Sequence, residues 1–140
     1  MNSENSLSKG RLLALDLGAR RVGVAVCDEL RITTRPLPAL ARANWKKLLA
    51  EVRALTTEFA VVGLVLGLPL SLDGTENTAA EETRRLARNF GLSLQLPVYL
   101  QDERLTSQEA AELLGRQDRL DSVAASLILR DFLLTDETNT

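Results

Sequence analysis

The chain has 140 residues, 45% hydrophobic and 26% charged, which suits one folded domain and leaves little room for a second. It has no histidine and one cysteine, Cys27, which excludes imidazole bases, thiolate zinc clusters and intramolecular disulfides. Its net charge of −2 is unevenly spread, at +5 over residues 19–53 and −7 over residues 54–140, so the N-terminal third is the part suited to face phosphates, or else to form an ordinary solvated surface.

Residues 1–9 read as a loose polar tail without the apolar core of a signal peptide. Leu12 to Leu17 is an apolar run interrupted only by Asp16, the pattern of a central strand buried on both faces. Gly18 ends it, and Val22–Val26 follows closely enough to form a hairpin. Ile32 to Leu40 carries Pro36 and Pro38, which predicts an edge strand or extended segment. Trp45, Leu48, Leu49, Val52, Leu55 and Phe59 repeat at helical spacing. Val61 to Leu66 predicts a short buried strand closed by Gly67 and Pro69, with a turn at Asp73-Gly74. Thr78 and Glu81 have capping-box spacing, opening a helix that ends at Gly91. Pro97 to Gln101 predicts another strand, and Thr106 and Glu109 open a helix that stops near Gly115. A last, nearly all-apolar helix runs from about Leu120 to Leu134, and residues 135–140 form a polar tail. The order β-β-β-α-β-α-β-α-α implies an α/β fold: a mixed sheet, opened by a three-strand meander, with helices on both faces.

Three sets of acids resist a simple packing account. Asp16 stands among apolar neighbours, where a carboxylate without partners costs several kcal/mol. Either it bonds turn amides near Gly18, or it is a metal ligand at the carboxyl end of a central strand. Asp102 and Glu103 follow a strand, and alternation sends them to opposite faces; both also suit a helix start. Asp121 opens the last helix and serves as its N-cap or as a ligand. With no histidine present, such acids would hold a hard ion. Gly67-Leu68-Pro69-Leu70 is either a tight turn or a backbone phosphate contact. Asp16-Leu17-Gly18 followed by Gly23 is similar to the phosphate hairpin of actin-like ATPases, but 140 residues provide one lobe and not two.

Four segments, LLALDLGARRVGVAVCD, VVGLVLGLPLSLDGTEN, VYLQDERLTSQEA and LDSVAASLILRDFL, together resemble the YqgF family, also called RuvX, over about residues 11–134. That family was named for Holliday junction resolvases and is described as nucleases maturing the small-subunit ribosomal RNA precursor. The resemblance implies one ribonuclease-H-like domain over residues 10–134, with Asp16, Glu103 and Asp121 as catalytic and metal-binding acids and Asp102 as a possible substitute. It also implies Mg²⁺ or Mn²⁺ as cofactor and a cytoplasmic protein. The chain departs from the family pattern at Ala19, where a threonine is common, and at Ser71-Leu72, where Asn-Met is common. Its Gly115–Leu120 segment is shorter than the Lys-rich loop of many relatives.

The leading expectation is therefore a phosphodiesterase using two ions about 4 Å apart. Arg20, Arg21 and Arg104, next to the motifs, are candidates for phosphate contact. Its substrate would be nucleic acid, with RNA favoured over branched DNA, met within pre-ribosomal particles. The alternatives are a junction resolvase, a non-catalytic ribosome-assembly module and, against the missing lobe, an ATPase. No membrane partner is expected, because no apolar run approaches the ~18 residues of a span.

Overall fold

The central strand is Arg11–Leu17 (β1), and the run of apolar residues around Asp16 explains why: Leu12, Leu13, Ala14 and Leu15 are all buried. A computed structural model describes residues 9–103 and 117–139, with side chains through Glu103 and from Ser122 to Thr135. β1 pairs antiparallel with Arg21–Cys27 (β2), which pairs antiparallel with Thr34–Ala41 (β3). On its other side β1 pairs parallel with Val61–Pro69 (β4), and β4 with Val98–Glu103 (β5). The sheet order is β3-β2-β1-β4-β5. Trp45–Glu58 (α1) and Thr78–Leu94 (α2) cover one face, and Gln117–Asn139 (α3) covers the other.

Period-two alternation divides the strands between these faces. Leu13, Leu15, Val22, Val24, Leu64 and Leu66 pack with Leu48 and Val52 of α1 and Phe90 of α2. Leu12, Ala14, Ala25 and Val65 pack with Ala125, Ile128, Leu129 and Leu133 of α3. Trp45 begins α1 and meets Phe90 with ring centroids 4.8 Å apart, joining the two helices over the sheet.

β3 is an edge strand, as Pro36 and Pro38 predict. Between the pairs Val22↔Leu40 and Val24↔Leu37 it spends one residue more than β2, a bulge at Pro38-Ala39 opposite Gly23. The Ser122 hydroxyl of α3 enters this irregularity, accepting the Val24 N–H and donating to the Leu37 carbonyl. A buried amide left over by the bulge is thereby satisfied, and the start of α3 is fixed on β2 and β3.

Several boundaries differ from expectation. β4 does not close at Gly67 but runs to Pro69, because β5 pairs with it through Gly67↔Gln101, Leu68↔Asp102 and Pro69↔Glu103. The same pairing makes Asp102 and Glu103 the last residues of β5 rather than the first after it. The N-cap of α2 is Asn77, not Thr78: the Asn77 Oδ1 accepts the Ala80 N–H at 2.9 Å. α2 then passes through Gly91 and ends where Gln95 takes the left-handed conformation, φ 56°. α3 starts at Gln117 and reaches Asn139, so residues 135–139 are helical rather than a tail. The helix expected at 106–115 and the tail expected at 1–8 lie outside the described residues; Lys9 bonds Glu29 through its backbone.

Candidate active site

Asp16 is half-buried at the carboxyl end of β1. Directly after it the chain reverses, with the Gly18 N–H donating to the Asp16 carbonyl at 3.1 Å and to the Arg21 carbonyl at 2.9 Å. A Cβ at Gly18 would lie 2.7 Å from the Arg21 oxygen, so the turn demands glycine. Asp16 shares its face with Leu12 and Ala14, the face under α3. Its cross-strand partner on β2 is Gly23. On β4 the register beyond Leu15↔Leu66 brings Gly67 alongside. Two glycines thus flank the acid, and the space a Gly67 side chain would take is filled by Ile128 of α3.

Gly67 also separates Asp16 from β5. A Cβ there would come within 2.6 Å of Ile128 Cδ1 on α3 and 3.4 Å of Glu103 Cγ. Glu103 is therefore on the α3 face of the sheet, half-buried, with its Oε1 oxygen enclosed. Alternation puts Asp102 on the other face, with Val98 and Leu100, which pack on the α1–α2 side. Asp102 is exposed there, and its charge adds to that of Glu76 in raising the Arg84 guanidinium above its ordinary pKa, Glu76 acting more strongly through its hydrogen bonds. The structure thus assigns the two adjacent acids to faces, which the sequence leaves open.

Gly67-Leu68-Pro69 is sheet rather than turn or free phosphate loop, and the Leu70 N–H donates to the Glu103 carbonyl at 3.1 Å. Asp121 lies four residues into α3, so it is not the helix N-cap. Its side chain is outside the described set, as is all of Arg104. Arg20 and Arg21 are exposed at the β1–β2 turn, at the Asp16 end of the sheet. Among the described residues no three acidic, cysteine or histidine side chains gather into a metal cluster; Asp16 and Glu103 share a face and Asp102 does not.

Sequence reasoning missed two contributors, Ser122 and Arg42, and gave a third, Gly67, another role. Gly67 spaces the acids, although its sequence signal reads equally as a turn. Ser122, beside Asp121, anchors the start of α3; a serine in an apolar helix is its signal. Arg42 donates from Nη1 to the Gly18 carbonyl at 2.9 Å and from Nη2 to Glu82 at 2.6 Å, tying the β1–β2 turn to α2. Nothing local in the sequence marks that link.

This architecture is the RuvC-like ribonuclease H fold. Thermus thermophilus RuvC superimposes with a TM-score of 0.52 at 13% identity, covering 84% of this chain and 92% of RuvC. The fowlpox virus Holliday junction resolvase does so with a TM-score of 0.54 at 14% identity, covering 89% of this chain and 99% of that one. A profile of the RuvX family, described as Holliday junction resolvase, matches residues 10–135. Relatives called "Putative pre-16S rRNA nuclease" include those of Syntrophus aciditrophicus, 40% identical over 88% of this chain and 87% of the relative, and Koribacter versatilis, 39% identical over 93% and 90%. The chain belongs to the RuvX family. No helix among the described residues is long and apolar enough to cross a membrane.

Proposed function

We propose that this chain is a divalent-metal-dependent nuclease that hydrolyses phosphodiester bonds of RNA, at the 5′ end of the 16S ribosomal RNA precursor. Family membership and the names of its relatives support the reaction and substrate. The observation that carries the site is that β1 and β5 bring Asp16 and Glu103 to one face of the sheet, across Gly67. Asp121, on α3, is the third acid of the reading. The protein works in the cytoplasm on precursor particles.

The donor set fits a hard cation. It is all oxygen, part of it is enclosed at Glu103 Oε1, and the glycine between Asp16 and Glu103 keeps any side chain of its own from standing between the two acids. Asp16, Glu103 and Asp121 would hold Mg²⁺ or Mn²⁺. Bound there, the cation supplies the Lewis acidity that activates a water and steadies the leaving oxygen. The chain itself holds the two carboxyl groups beside a buried layer made by Ala14 and Val65 of the sheet and Ile128 of α3. Arg20 and Arg21 place cations where the flanking phosphates of a bound strand would pass, with Arg104 as a third.

A second reading, branched DNA, draws on the fold it shares with T. thermophilus RuvC, which has been solved in complex with a Holliday junction substrate. Labelled structured RNA and a four-way DNA junction, each with Mn²⁺ and with chelator, separate the two. The expected result is metal-dependent cleavage of the RNA, reduced about a hundredfold or more by Asp16→Asn, with unchanged folding. Paired symmetric cutting of the junction, faster than RNA cleavage, would replace RNA by branched DNA. Full activity in Asp16→Asn would remove the acid site.

A further inference from the structure

We infer that Leu72, on the loop between β4 and α2, forms an apolar subsite for an unpaired nucleobase next to the scissile phosphate; this rests on the nuclease reading above. The loop stands at the carboxyl end of β4, and its Leu70 N–H bonds the Glu103 carbonyl, so it is fixed to the strand end that carries the acid. Its polar groups are spent on one another. Ser71 N–H donates to the Thr75 carbonyl, Gly74 N–H to the Ser71 carbonyl, and Asp73 Oδ1 accepts both the Thr75 N–H and its hydroxyl. Leu70 bridges to Glu76, whose carboxylate takes both Nε and Nη2 of Arg84 at 2.8 Å. This closed turn presents a leucine that is 63% exposed.

A lone exposed leucine is ordinary; its place and the rest of the composition give this one meaning. Among the described residues, the other apolar side chains more than half exposed are Ile32 and Leu92, at the opposite end of the sheet, and Leu134, late in α3. Unpaired bases offer flat apolar faces, which proteins commonly meet with aromatic rings. This chain has five aromatic residues, and all are engaged: Trp45 with Phe90, Tyr99 with Phe132, and Phe59 beneath the Arg35 guanidinium. None stands on the carboxyl-end loops, which leaves an aliphatic side chain to make such a contact, as inserted leucines do at other nucleic-acid surfaces. A rigid loop loses little entropy when the base arrives.

The test uses the full chain and a labelled single-stranded RNA whose cut position is first mapped. One abasic nucleotide is then walked across the positions flanking the cut, with wild type and Leu72→Ser compared on each RNA. On intact RNA, Leu72→Ser should raise KM about tenfold with kcat nearly unchanged. One abasic position should raise the wild-type KM similarly and erase the difference between the two proteins, while Leu72→Phe should restore tight binding on intact RNA. A wild-type KM in Leu72→Ser, or the same loss on every abasic RNA, would overturn the subsite and leave the nuclease reading intact. Wild type cutting no nucleic acid would overturn both.

Discussion

Toward α1 and α2 the sheet presents leucines and valines, closed over by Phe90 and Trp45; toward α3 it presents Ala14, Ala25, Gly63 and Gly67, with Asp16 and Glu103 at one end. The first face is filled by large apolar side chains, and its charged residues, such as Asp102 on the edge strand β5, stand exposed at its margin. The second is built of small residues, so α3 lies close to the strands, near enough for Ile128 Cδ1 to fill the place of a Gly67 side chain. Stability is concentrated where side chains are large, and the proposed chemistry where they have been withheld. Removing atoms should therefore injure the first face, and adding atoms or removing charge should injure the second.

Phe90→Ala tests the large face. Phe90 is fully buried, so the truncation should cost about 3–5 kcal/mol, read as a fall in Tm or in the urea midpoint. Turnover per folded molecule at low temperature should stay at the wild-type value. A loss of turnover beyond the unfolded fraction would mean that the two faces are not separable.

Charge removal tests the other face. Glu103→Gln should lower kcat/KM about a hundredfold, whereas Asp102→Asn, on the far face, should change it by less than about threefold. Both should fold with near wild-type stability. The reverse order would place the ligand on the α1–α2 side and contradict the alternation of β5.

Adding one methyl to the small face should cost less, yet touch both properties. In Gly67→Ala the new carbon would sit 2.6 Å from Ile128 Cδ1, so the side chain or the helix must shift, at about 1–3 kcal/mol. The same carbon would only touch Glu103 Cγ, at 3.4 Å, so turnover should fall through the shift of α3, together with stability. Adding Ile128→Val, which removes the offending methyl, should recover more stability than independent effects allow. Simple additivity in that double mutant would show that α3 yields without resistance.

What the sequence could and could not convey follows from how far each signal reaches. The hairpin, the proline-marked edge and the Trp45 to Phe59 stripe are local patterns, and they appear where expected. Boundaries set by partners were not legible. Gly67 ends a strand by composition, but pairing with β5 carries the strand through it. Gly91 suggests a helix stop, yet its helical backbone strains nothing and α2 continues to Leu94. The choice between Asp102 and Glu103 needs the face of β5, which alternation fixes only once the strand is known to include both. The nearly all-apolar composition of the last helix hides which of its residues face the sheet: Ala125, Ile128 and Leu129 do, whereas Val123 and Leu127 face outward, about 40% exposed.

The smallest effect concerns an acid that serves structure alone, and it sharpens the contrast with Asp16 and Glu103. Asp28 stands after β2, at the opposite end of the sheet from the site. Its Oδ1 accepts the Thr33 and Ile32 N–H groups, each at 2.7 Å, and the Thr33 hydroxyl at 3.3 Å. Those bonds, the Thr33 amide first, hold its carboxyl below the usual carboxylate range. A depressed folded value means that the charged form stabilises the protein above the unfolded pKa of about 3.9, and that this contribution fades as pH falls through the lower folded value. Asp28→Asn keeps an oxygen to accept the same amides but cannot titrate. It should be less stable than wild type at pH 7 by only a few tenths of a kcal/mol, because solvent screens the group. That gap should close below about pH 4, as wild-type Asp28 takes up its proton, in urea melts run across the acid range. Cleavage per folded molecule should not change at any pH. A gap that persists at low pH would assign the effect to geometry rather than charge, and a loss of cleavage would show that the β2–β3 turn reaches the acids through the sheet.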